Sequence, residues 1–308
     1  MPDLLLHSLT NFEEIIVACL DAARPRRIAE IGSESGAFTG ELVTWASAND
    51  AEVICVEPEP SEAVRDLATR TDRLRLLQGL SPGVLSELDP CDLYLIDGDH
   101  NYWTVSQELG ALYADDRAPV SVLHDVGWPC ARRDLYYNVD ALPPDAVHPH
   151  SHHDGAIPGQ DDLVPDRGFS GAGNFAFARH EGGPRNGVLT AVEDFLATRP
   201  DLNYVHVPAV FGLGFVYSSK AGYAAAIGTL LAPYDRMPLL ERLERNRVEM
   251  YSQVIHHHKD STWGLRERLN RALRELEDRE SAAGVDELRS KLEEESQRRS
   301  AAAPGDGA

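Results

Sequence analysis

Short apolar runs alternate with amphipathic helical stripes along the first part of the chain. These runs predict strands at 27–31, 52–56, 74–77, 91–96 and 120–123, with helices at 11–23, 36–48, 61–71 and 102–112. Strands separated by single helices pair in parallel through right-handed crossovers. Near-continuous apolar runs such as Leu93–Ile96 indicate a sheet covered by helices on both faces. The pattern therefore predicts an α/β domain with a mostly parallel, Rossmann-like sheet.

The regular pattern stops between residues 127 and 173, where Pro, Gly, His and Asp are frequent. A segment this long without its own periodicity is typical of a lid or binding loop, and we interpret it as a lid over the substrate. Strands at 204–207 and 213–217 follow, and their short link favours antiparallel pairing. We expect a seven-stranded sheet whose last strand is antiparallel, within one domain over residues 1–220.

The sequence beyond residue 220 has helical spacing. We expect a helical appendage over residues 221–300 and a disordered tail over 301–308. Within the appendage, Leu265, Leu269, Ala272 and Leu276 form a short apolar stripe. Such a stripe is typical of a short coiled coil. A homo-oligomer seam and packing on the chain's own domain are both compatible with it.

Charge and composition limit the classes of partner. The formal net charge is −21, and the three lysines all occur from Lys220 onward. Because nucleic-acid affinity depends on Lys and Arg neutralising phosphates, we expect no nucleic-acid partner. No apolar run is long enough to span a bilayer, and the four cysteines are widely spaced in apolar patterns. We expect a cytoplasmic protein with free thiols, no membrane partner and a small-molecule substrate.

The first predicted strand ends in the turn Glu30-Ile-Gly32-Ser-Glu-Ser-Gly36. Gly32 allows a sharp turn and a close approach to a ligand, and Gly36 begins a helix whose N–H groups favour polar ligand groups. A dinucleotide-binding turn would need a further glycine at position 34, which is Glu34 here. The turn suits a ligand without a pyrophosphate. Glu57, after the second strand, can accept both ribose hydroxyls of a nucleoside.

The stretch Ala29-Glu-Ile-Gly-Ser-Glu-Ser-Gly36, followed by Val56-Glu57, resembles the cofactor-binding motifs of class I S-adenosylmethionine-dependent methyltransferases. The resemblance covers about residues 10–220, includes the terminal strand pair, and implies S-adenosylmethionine as the cofactor. It places Glu30 and Gly32 near the methionine part and Glu57 on the ribose. The cofactor-binding residues that it implies are Glu30, Gly32, Ser33, Gly36, Glu57, Gln78, Gly79 and Asp97. The family often has an acid near the adenine, where this chain offers Gln78 and Ser81.

Two other predicted strands end in acids and imidazoles. The fourth ends in Asp97-Gly-Asp99-His100 and the fifth in His124-Asp125. In a parallel sheet these carboxyl ends are neighbours and face the same crevice as the cofactor turn. Carboxylate oxygens suit Mg²⁺, Mn²⁺ or Ca²⁺, and one imidazole shifts the preference slightly toward transition metals. We predict a divalent-metal site here, whereas Asp99 alone is better explained as the cap of the next helix.

This arrangement resembles that of metal-dependent O-methyltransferases, including the catechol type and the macrolide-sugar and cephamycin-pathway groups. The resemblance implies Asp97, His124 and Asp125 as metal ligands, with Mg²⁺ as the preferred ion. Relatives usually have two acids or Asp-Asn after the fifth strand, so His124 is a departure and either binds the metal or acts as a base. Catechol-type enzymes have a lysine base three residues after the first metal acid. His100 has that position here, and we predict it as the general base.

A histidine-rich segment lies within the long insertion. It contains His148, His150, His152 and His153. Dense histidine can bind metal, and the surrounding prolines and glycines suit a mobile segment. We interpret the segment as part of the substrate-covering lid, with adventitious metal affinity. A second metal site is the alternative.

The leading interpretation is a divalent-metal-dependent O-methyltransferase. It would transfer a methyl group from S-adenosylmethionine to a hydroxyl of a small molecule, such as a sugar or a specialised metabolite. An auxiliary, non-catalytic protein that binds S-adenosylmethionine is one alternative. A nicotinamide-dependent oxidoreductase or epimerase is another, and Glu34 disfavours it because a pyrophosphate needs glycine at that position.

Overall fold

The computed structural model describes residues 7–115, 117, 119–165, 167–254 and 290–294. The chain divides into two compact units, residues 1–253 and 254–308. In the second unit, residues 290–294 are helical. The predicted coiled-coil stripe at 265–276 and the predicted tail at 301–308 lie outside the described residues. None of the described helices is long and apolar enough to cross a membrane.

The first unit contains a seven-stranded sheet and a smaller three-stranded one. The strands are β1 (Arg27–Ile31), β2 (Glu52–Val56), β3 (Leu74–Leu77), β4 (Leu93–Ile96), β5 (Val120–His124), β6 (Leu135–Tyr136), β7 (His150–Ser151), β8 (Ala176–Ala178), β9 (Leu202–Val207) and β10 (Leu213–Ser218). The large sheet has the order β3-β2-β1-β4-β5-β10-β9. Its first five strands pair in parallel, and β10 is antiparallel to both β5 and β9. The predicted mostly parallel sheet with an antiparallel last strand is confirmed.

Helices cover both faces of this sheet. They are α1 (Glu13–Ala23), α2 (Ala37–Asn49), α3 (Glu62–Arg70), α4 (Tyr102–Leu112), α5 (Val188–Ala197), α6 (Ala224–Leu231) and α7, which covers 238–253. Successive strand residues point to opposite faces. Accordingly, Leu93 and Leu95 of β4 join the apolar cluster that includes α1, α2 and α6, whereas Tyr94 and Ile96 join the cluster that includes α4 and α5.

The first compact unit extends beyond the predicted domain end at residue 220. Ile227 and Leu231 of α6 are fully buried in the same apolar cluster as Ile16 and Leu20 of α1. Burying four aliphatic side chains together stabilises their association by several kcal/mol, at about 1.5–3 kcal/mol each. Residues 221–253 are therefore part of this unit rather than of a separate appendage, and only 254–308 form the second unit.

The insertion predicted as irregular contains regular structure. Its strands β6 and β7 both pair antiparallel with β8, which follows the insertion, in the order β6-β8-β7. Arg133 is fully buried beneath this sheet and donates hydrogen bonds to the carbonyl oxygens of Ala178 (2.7 Å) and Asp161 (2.6 Å). Strands of two residues are too short to show a period along the sequence, which explains why the pattern did not predict β6 and β7.

Asp134 is a buried carboxylate that joins this insertion to two helices. Its Oδ1 accepts hydrogen bonds from the backbone N–H groups of Tyr102 (2.7 Å) and Gly187 (2.6 Å), at the starts of α4 and α5. Its Oδ2 accepts one from the hydroxyl of Tyr136 at 2.9 Å. Burial raises the pKa of Asp134, and the backbone donors oppose this shift. A single side chain thus positions the helix that follows His100.

The beginning of α4 is set by Asn101 rather than by Asp99. The Asn101 side chain accepts a hydrogen bond from the N–H of Thr104 at 2.8 Å, as an N-cap does. Because α4 begins at Tyr102, the cap position falls two residues after Asp99, and the predicted cap was wrong. Asp99 instead positions the side chain of the capping residue Asn101. Its Oδ2 accepts hydrogen bonds from the Asn101 side-chain amide at 2.6 Å and from the Thr104 hydroxyl at 3.3 Å.

Glu108 is a fully buried acid on the apolar face of α4. Its Oε1 lies 2.5 Å from the hydroxyl oxygen of Ser81, while its Oε2 has no hydrogen-bond partner among the described residues. Burial raises the pKa of Glu108 to about 8, with a smaller contribution from the charge of Asp99. The carboxyl is therefore held in its neutral form over most of the physiological pH range.

Replacing Asp134 by alanine is expected to destabilise the first unit by about 3 kcal/mol or more, because three buried donors lose their acceptor. Asp134→Asn should lose less stability than Asp134→Ala, since an amide oxygen can still accept hydrogen bonds from the N–H groups of Tyr102 and Gly187. Urea unfolding of both variants measures the difference. The exposed Asp140→Ala is the control, and equal stability of Asp134→Ala and Asp140→Ala would contradict the role assigned to Asp134.

The raised pKa of Glu108 makes stability depend on pH. The folded pKa of about 8 exceeds the ordinary value of 4.5, so stability is highest below 4.5 and declines as the pH rises toward 8. Glu108→Gln should remove up to about 3 kcal/mol of that decline between about pH 5 and about pH 8. The measurement is urea unfolding across this range. The control is the exposed Glu41→Gln, whose stability should decline with pH as steeply as that of the wild type. An equally steep decline in Glu108→Gln would show that Glu108 is not linked to folding.

Candidate active site

Asp97, His124 and Asp125 meet at the carboxyl ends of β4 and β5. These strands are adjacent, with Ile96 paired with Leu123, so the residues that follow them lie side by side. The His124 Nδ1 is 3.0 Å from Asp97 Oδ1 and 3.2 Å from Asp125 Oδ2. One ligand-type atom from each of the three residues lies within 4.8 Å of the other two. The structure thus brings together all three residues predicted as metal ligands.

The orientation of the His124 ring is set by its second nitrogen. Nε2 lies 2.9 Å from the carbonyl oxygen of Val210, which can only accept, so Nε2 carries a proton. Nδ1 therefore faces the two carboxylates. Burial lowers the pKa of His124, but the charges of Asp97 and Asp125 outweigh it and raise the pKa well above the ordinary value. Either a proton or a cation between Nδ1 and the carboxylates satisfies this arrangement.

His100, the predicted base, lies on the other side of Asp125. Its Nε2 is 3.5 Å from Asp125 Oδ2, and both side chains are about nine-tenths buried. Burial opposes ionisation of Asp125, yet the neighbouring imidazoles of His100 and His124 lower its pKa below the ordinary value. Asp125 also has a positive φ of 58°, a conformation that Asp tolerates better than most residues. The carboxylate can stabilise positive charge on either imidazole.

The glycine turn after β1 lies directly against the backbone after β4. Gly32 has a φ of 84°, and a Cβ at this position would overlap the carbonyl oxygen of Asp97. Gly36, with a φ of 83°, begins α2, and a Cβ there would overlap the side chain of Val64. Glu34 also has a positive φ, of 46°. The two glycines are therefore required by close contacts as well as by backbone conformation. Through Asp97, the turn contacts the group formed by Asp97, His124 and Asp125, which we call the metal-type cluster.

Two acids lie near the carboxyl ends of β1 and β2. Glu30 is buried, and its Oε2 accepts a hydrogen bond from the Thr39 hydroxyl at 2.6 Å. Burial raises the pKa of Glu30 to about 8. Glu57 is half-buried at the end of β2, where its Oε2 accepts from the N–H of Ser33 at 2.9 Å and its Oε1 accepts from that of Glu59 at 3.2 Å. The Ser33 hydroxyl also donates to Oε2 at 3.3 Å, so Oε1 is the oxygen that keeps a lone pair for a ribose hydroxyl.

The segment after β3 borders the same edge of the sheet. The exposed Gln78 donates its side-chain N–H to the carbonyl oxygen of Pro58 at 2.9 Å. A Cβ at Gly79 would overlap the side chain of Val84, so this position accepts only glycine without rearrangement. Ser81 is held by the buried Glu108. The family resemblance associates this segment with adenine, and Glu108 supplies an acid there that the sequence did not reveal.

A cluster of aromatic side chains flanks these residues and was missed by the sequence analysis. Its members are His7, Trp128, Phe169, Phe175, Phe211 and Tyr251. His7 stacks on Phe211 at 5.2 Å with nearly parallel rings, and the charge of Asp125 acts on its imidazole. Tyr137 lies edge-on to His100 at 5.8 Å. The buried indole N–H of Trp128 has no hydrogen-bond partner among the described residues.

The histidine-rich segment does not gather three metal-type donors among the described residues, where Asp97, His124 and Asp125 form the one such group. His148 Nε2 donates to the carbonyl oxygen of Arg185 at 2.8 Å, and the rings of His150 and His152 are 5.8 Å apart. His148 and His150 are half-buried, not freely solvated. These contacts give this segment a structural role, and the alternative of a second metal site gains no support from them.

The comparisons with known proteins agree with this geometry. Residues 29–125 match the model of a family described as a methyltransferase domain. No curated protein sequence matches the chain. Several solved methyltransferase structures are similar to this chain, with TM-scores below 0.5.

Three of these structures illustrate the likeness. PaMTH1 from Podospora anserina is 17% identical, with 67% of this chain and 78% of that one covered and a TM-score of 0.41. The O-methyltransferase TomG from Streptomyces achromogenes is 18% identical, with 71% and 83% covered and a TM-score of 0.38. An O-methyltransferase from Bacillus cereus is 14% identical, with 69% and 82% covered and a TM-score of 0.39.

The family match spans β1 to the end of β5, which includes the cofactor turn, the acid after β2 and the metal-type cluster. The strand order and the antiparallel β10 are those expected from the resemblance. The match therefore assigns a methyltransferase domain to residues 29–125.

Proposed function

We propose that this protein is a divalent-metal-dependent O-methyltransferase. It would transfer the methyl group of S-adenosylmethionine to a hydroxyl of a small molecule, such as a sugar or a specialised metabolite. The observation that carries the proposal is the convergence of Asp97, His124 and Asp125, with His100 beside them, at the strand ends that face the cofactor turn.

The donor set fits a hard divalent ion such as Mg²⁺. Two carboxylate oxygens and one imidazole nitrogen are suitable ligands. Two donors bound at right angles to one ion, each about 2.1 Å from it, are about 3 Å apart. The distances from His124 Nδ1 to Asp97 and Asp125 are 3.0 and 3.2 Å. The hydrogen bond from Nε2 to Val210 leaves Nδ1 as the nitrogen available to an ion, as outer partners of metal-binding histidines commonly do.

The chain's own residues supply the base and its stabiliser. A divalent ion at this site would lower the pKa of an acceptor hydroxyl. His100 would accept the hydroxyl proton at Nε2, and Asp125, 3.5 Å away, would stabilise the resulting imidazolium. We assign His124 to metal binding rather than to base catalysis, because one of its nitrogens bonds Val210 and the other faces two carboxylates.

The turn and the acids hold the methyl donor against this site. Glu57 would accept the ribose hydroxyls, with Ser33, Gly36, Gln78 and Gly79 bordering the cofactor. Because the turn at Gly32 contacts the backbone of Asp97, a cofactor held there lies close to the metal-type cluster. Methyl transfer needs the acceptor oxygen in line with the sulfonium methyl group, which such positioning provides.

The aromatic cluster favours an acceptor with a flat apolar face and at least one oxygen. The rings of Phe169 and Phe211 lie 5.8 Å apart beside Trp128. Such faces pack against sugar rings and other cyclic metabolites and keep water from the reacting hydroxyl. The unpartnered indole N–H of Trp128 is a donor for an acceptor oxygen, because buried donors in native proteins are nearly always satisfied.

Removing a metal ligand should abolish metal binding without unfolding the protein. After chelator treatment and dialysis, we expect one Mn²⁺ site by electron paramagnetic resonance, weakened at least about 100-fold in Asp97→Asn because a direct ligand is lost. Asp89→Asn, on an exposed turn, is the matched control. Methyl transfer that continues at the full rate in metal-free protein with EDTA present would rule out the metal dependence.

His100→Ala should lower kcat by about 10²- to 10⁴-fold, because the general base is lost. A mass-detected screen of hydroxylated sugars and phenols identifies the acceptor first, and the variant is then measured with that acceptor. The affinity for S-adenosylhomocysteine should be unchanged, which separates a chemical defect from a folding defect. His153→Ala, in an exposed turn, is the control. An undiminished kcat in His100→Ala would remove His100 from the mechanism.

A further inference from the structure

A cavity lies outside the candidate active site. It has a volume of about 370 Å³ and is lined by the start of α4, by residues 145–149 and by the loop 179–186. This volume lies within the range of small-molecule sites, about 300–1,000 Å³. None of the residues assigned above to the cofactor, the metal or proton transfer lines it. The cavity is therefore separate from the proposed methyl-transfer site.

One wall of this cavity is a loop held in an unusual conformation. Gly182, Gly183, Arg185 and Gly187 all have positive φ angles, and that of Arg185 is 54°. A residue with a Cβ costs about 1–2 kcal/mol in this region, so surrounding contacts must hold Arg185 there. Such strain concentrates at ligand sites and functional loops.

Asn186 and His148 supply those contacts. The buried Asn186 donates from Nδ2 to the carbonyl oxygens of His180 and Gly182, both at 2.9 Å. Its Oδ1 accepts from the N–H of Asp134 at 2.8 Å. From the opposite wall, His148 donates to the carbonyl oxygen of Arg185 at 2.8 Å. The two walls are thus joined by polar contacts, and the cavity is preorganised rather than a gap between loose loops.

The lining combines aromatic rings with cationic groups. Tyr102 and Trp103 present rings from α4, whereas Arg179 and Arg185 bring two guanidinium groups against the single carboxylate of Asp145. Arg179 is paired with Asp154 at 3.0 Å, and the side chain of Arg185 has no ion-pair or hydrogen-bond partner among the described residues. Arg185 is therefore the guanidinium group of the lining that is available to an anionic ligand, in a chain whose net charge is −21.

We propose that this cavity binds a small planar organic anion. The flat ring of the ligand packs against Trp103 and Tyr102, and its carboxylate or phosphate pairs with Arg185, assisted by Arg179. Arginine is suited to this role because its planar fork of donors matches both acidic groups. The site does not depend on the proposed metal or on the methyl acceptor.

The test is isothermal titration of the full chain with three matched probes: 1-naphthoate, 1-naphthyl phosphate and the neutral 1-naphthamide. We expect at least one anion to bind with and without saturating S-adenosylhomocysteine, and at least about tenfold more tightly than the amide. The tighter anion identifies the acidic group. Arg185→Asn should weaken its binding at least about tenfold, since asparagine tolerates a positive φ but carries no charge. Trp103→Leu should weaken it as well.

The exposed Arg65→Gln, on α3 and outside the cavity lining, is the charge-matched control and should bind like the wild type. Every variant must retain its affinity for S-adenosylhomocysteine, which shows that the domain is folded. If Arg185→Asn fails this check, Arg179→Gln replaces it, with the same expected direction. The proposal is overturned if the amide binds as well as the anions, if the folded arginine variant binds them undiminished, if S-adenosylhomocysteine displaces them, or if neither anion binds at millimolar concentration.

Discussion

The glycine turn after β1 and the backbone after β4 lie in contact, and the candidate active site depends on how closely they approach. The N–H of Gly32 donates to the carbonyl oxygen of Val56 at 2.9 Å, and that of Asp97 donates to Ile31 at 2.8 Å. Both turns therefore continue the hydrogen bonding of the parallel strands. Any side chain at Gly32 would collide with Asp97. The residues proposed to hold the methyl donor and those proposed to hold the divalent ion therefore adjoin at Gly32.

Electrostatics adds a second constraint on what this crevice can hold. Glu30, Glu57, Asp97 and Asp125 converge in a chain that is already strongly acidic, and burial raises the pKa of Glu30 to about 8. Buried carboxylates need nearby positive charge, hydrogen-bond donors or a proton to remain inside a protein. His124 provides some of that charge. A sulfonium group and a divalent ion would provide more. The negative character of the crevice thus favours the cationic methyl donor and the divalent ion of the proposed chemistry, and it disfavours anionic ligands such as pyrophosphates.

The apolar runs predicted the positions of β1–β5, β9 and β10 because buried strands require continuous apolar stretches. The proximity of Asp97, His124 and Asp125 was predictable too, since adjacent parallel strands end at the same edge. The aromatic cluster around Phe211 was not, because its members come from segments far apart in sequence. Glu108 could be noticed in the sequence as a charged residue on the apolar face of α4. Its contact with Ser81 could not be predicted, because the two residues are far apart in the sequence. Sequence periodicity encodes which face is buried, but not which distant side chain it meets.

The hydrogen bonds of the insertion, residues 127–173, could not be predicted from periodicity either, and they restrict which part of it could move as a lid. Its first part is tied to the segment that contains His100: the N–H of Leu135 donates to the carbonyl oxygen of His100 at 3.0 Å, and Asp134 holds the start of α4. A lid that moved the whole of residues 127–173 would break these buried bonds and leave several donors unpaired, at about 1–3 kcal/mol each. Opening confined to the chain beyond Tyr136 would leave them intact. The insertion is therefore scaffold in its first ten residues, and any movement that admits an acceptor must begin after them.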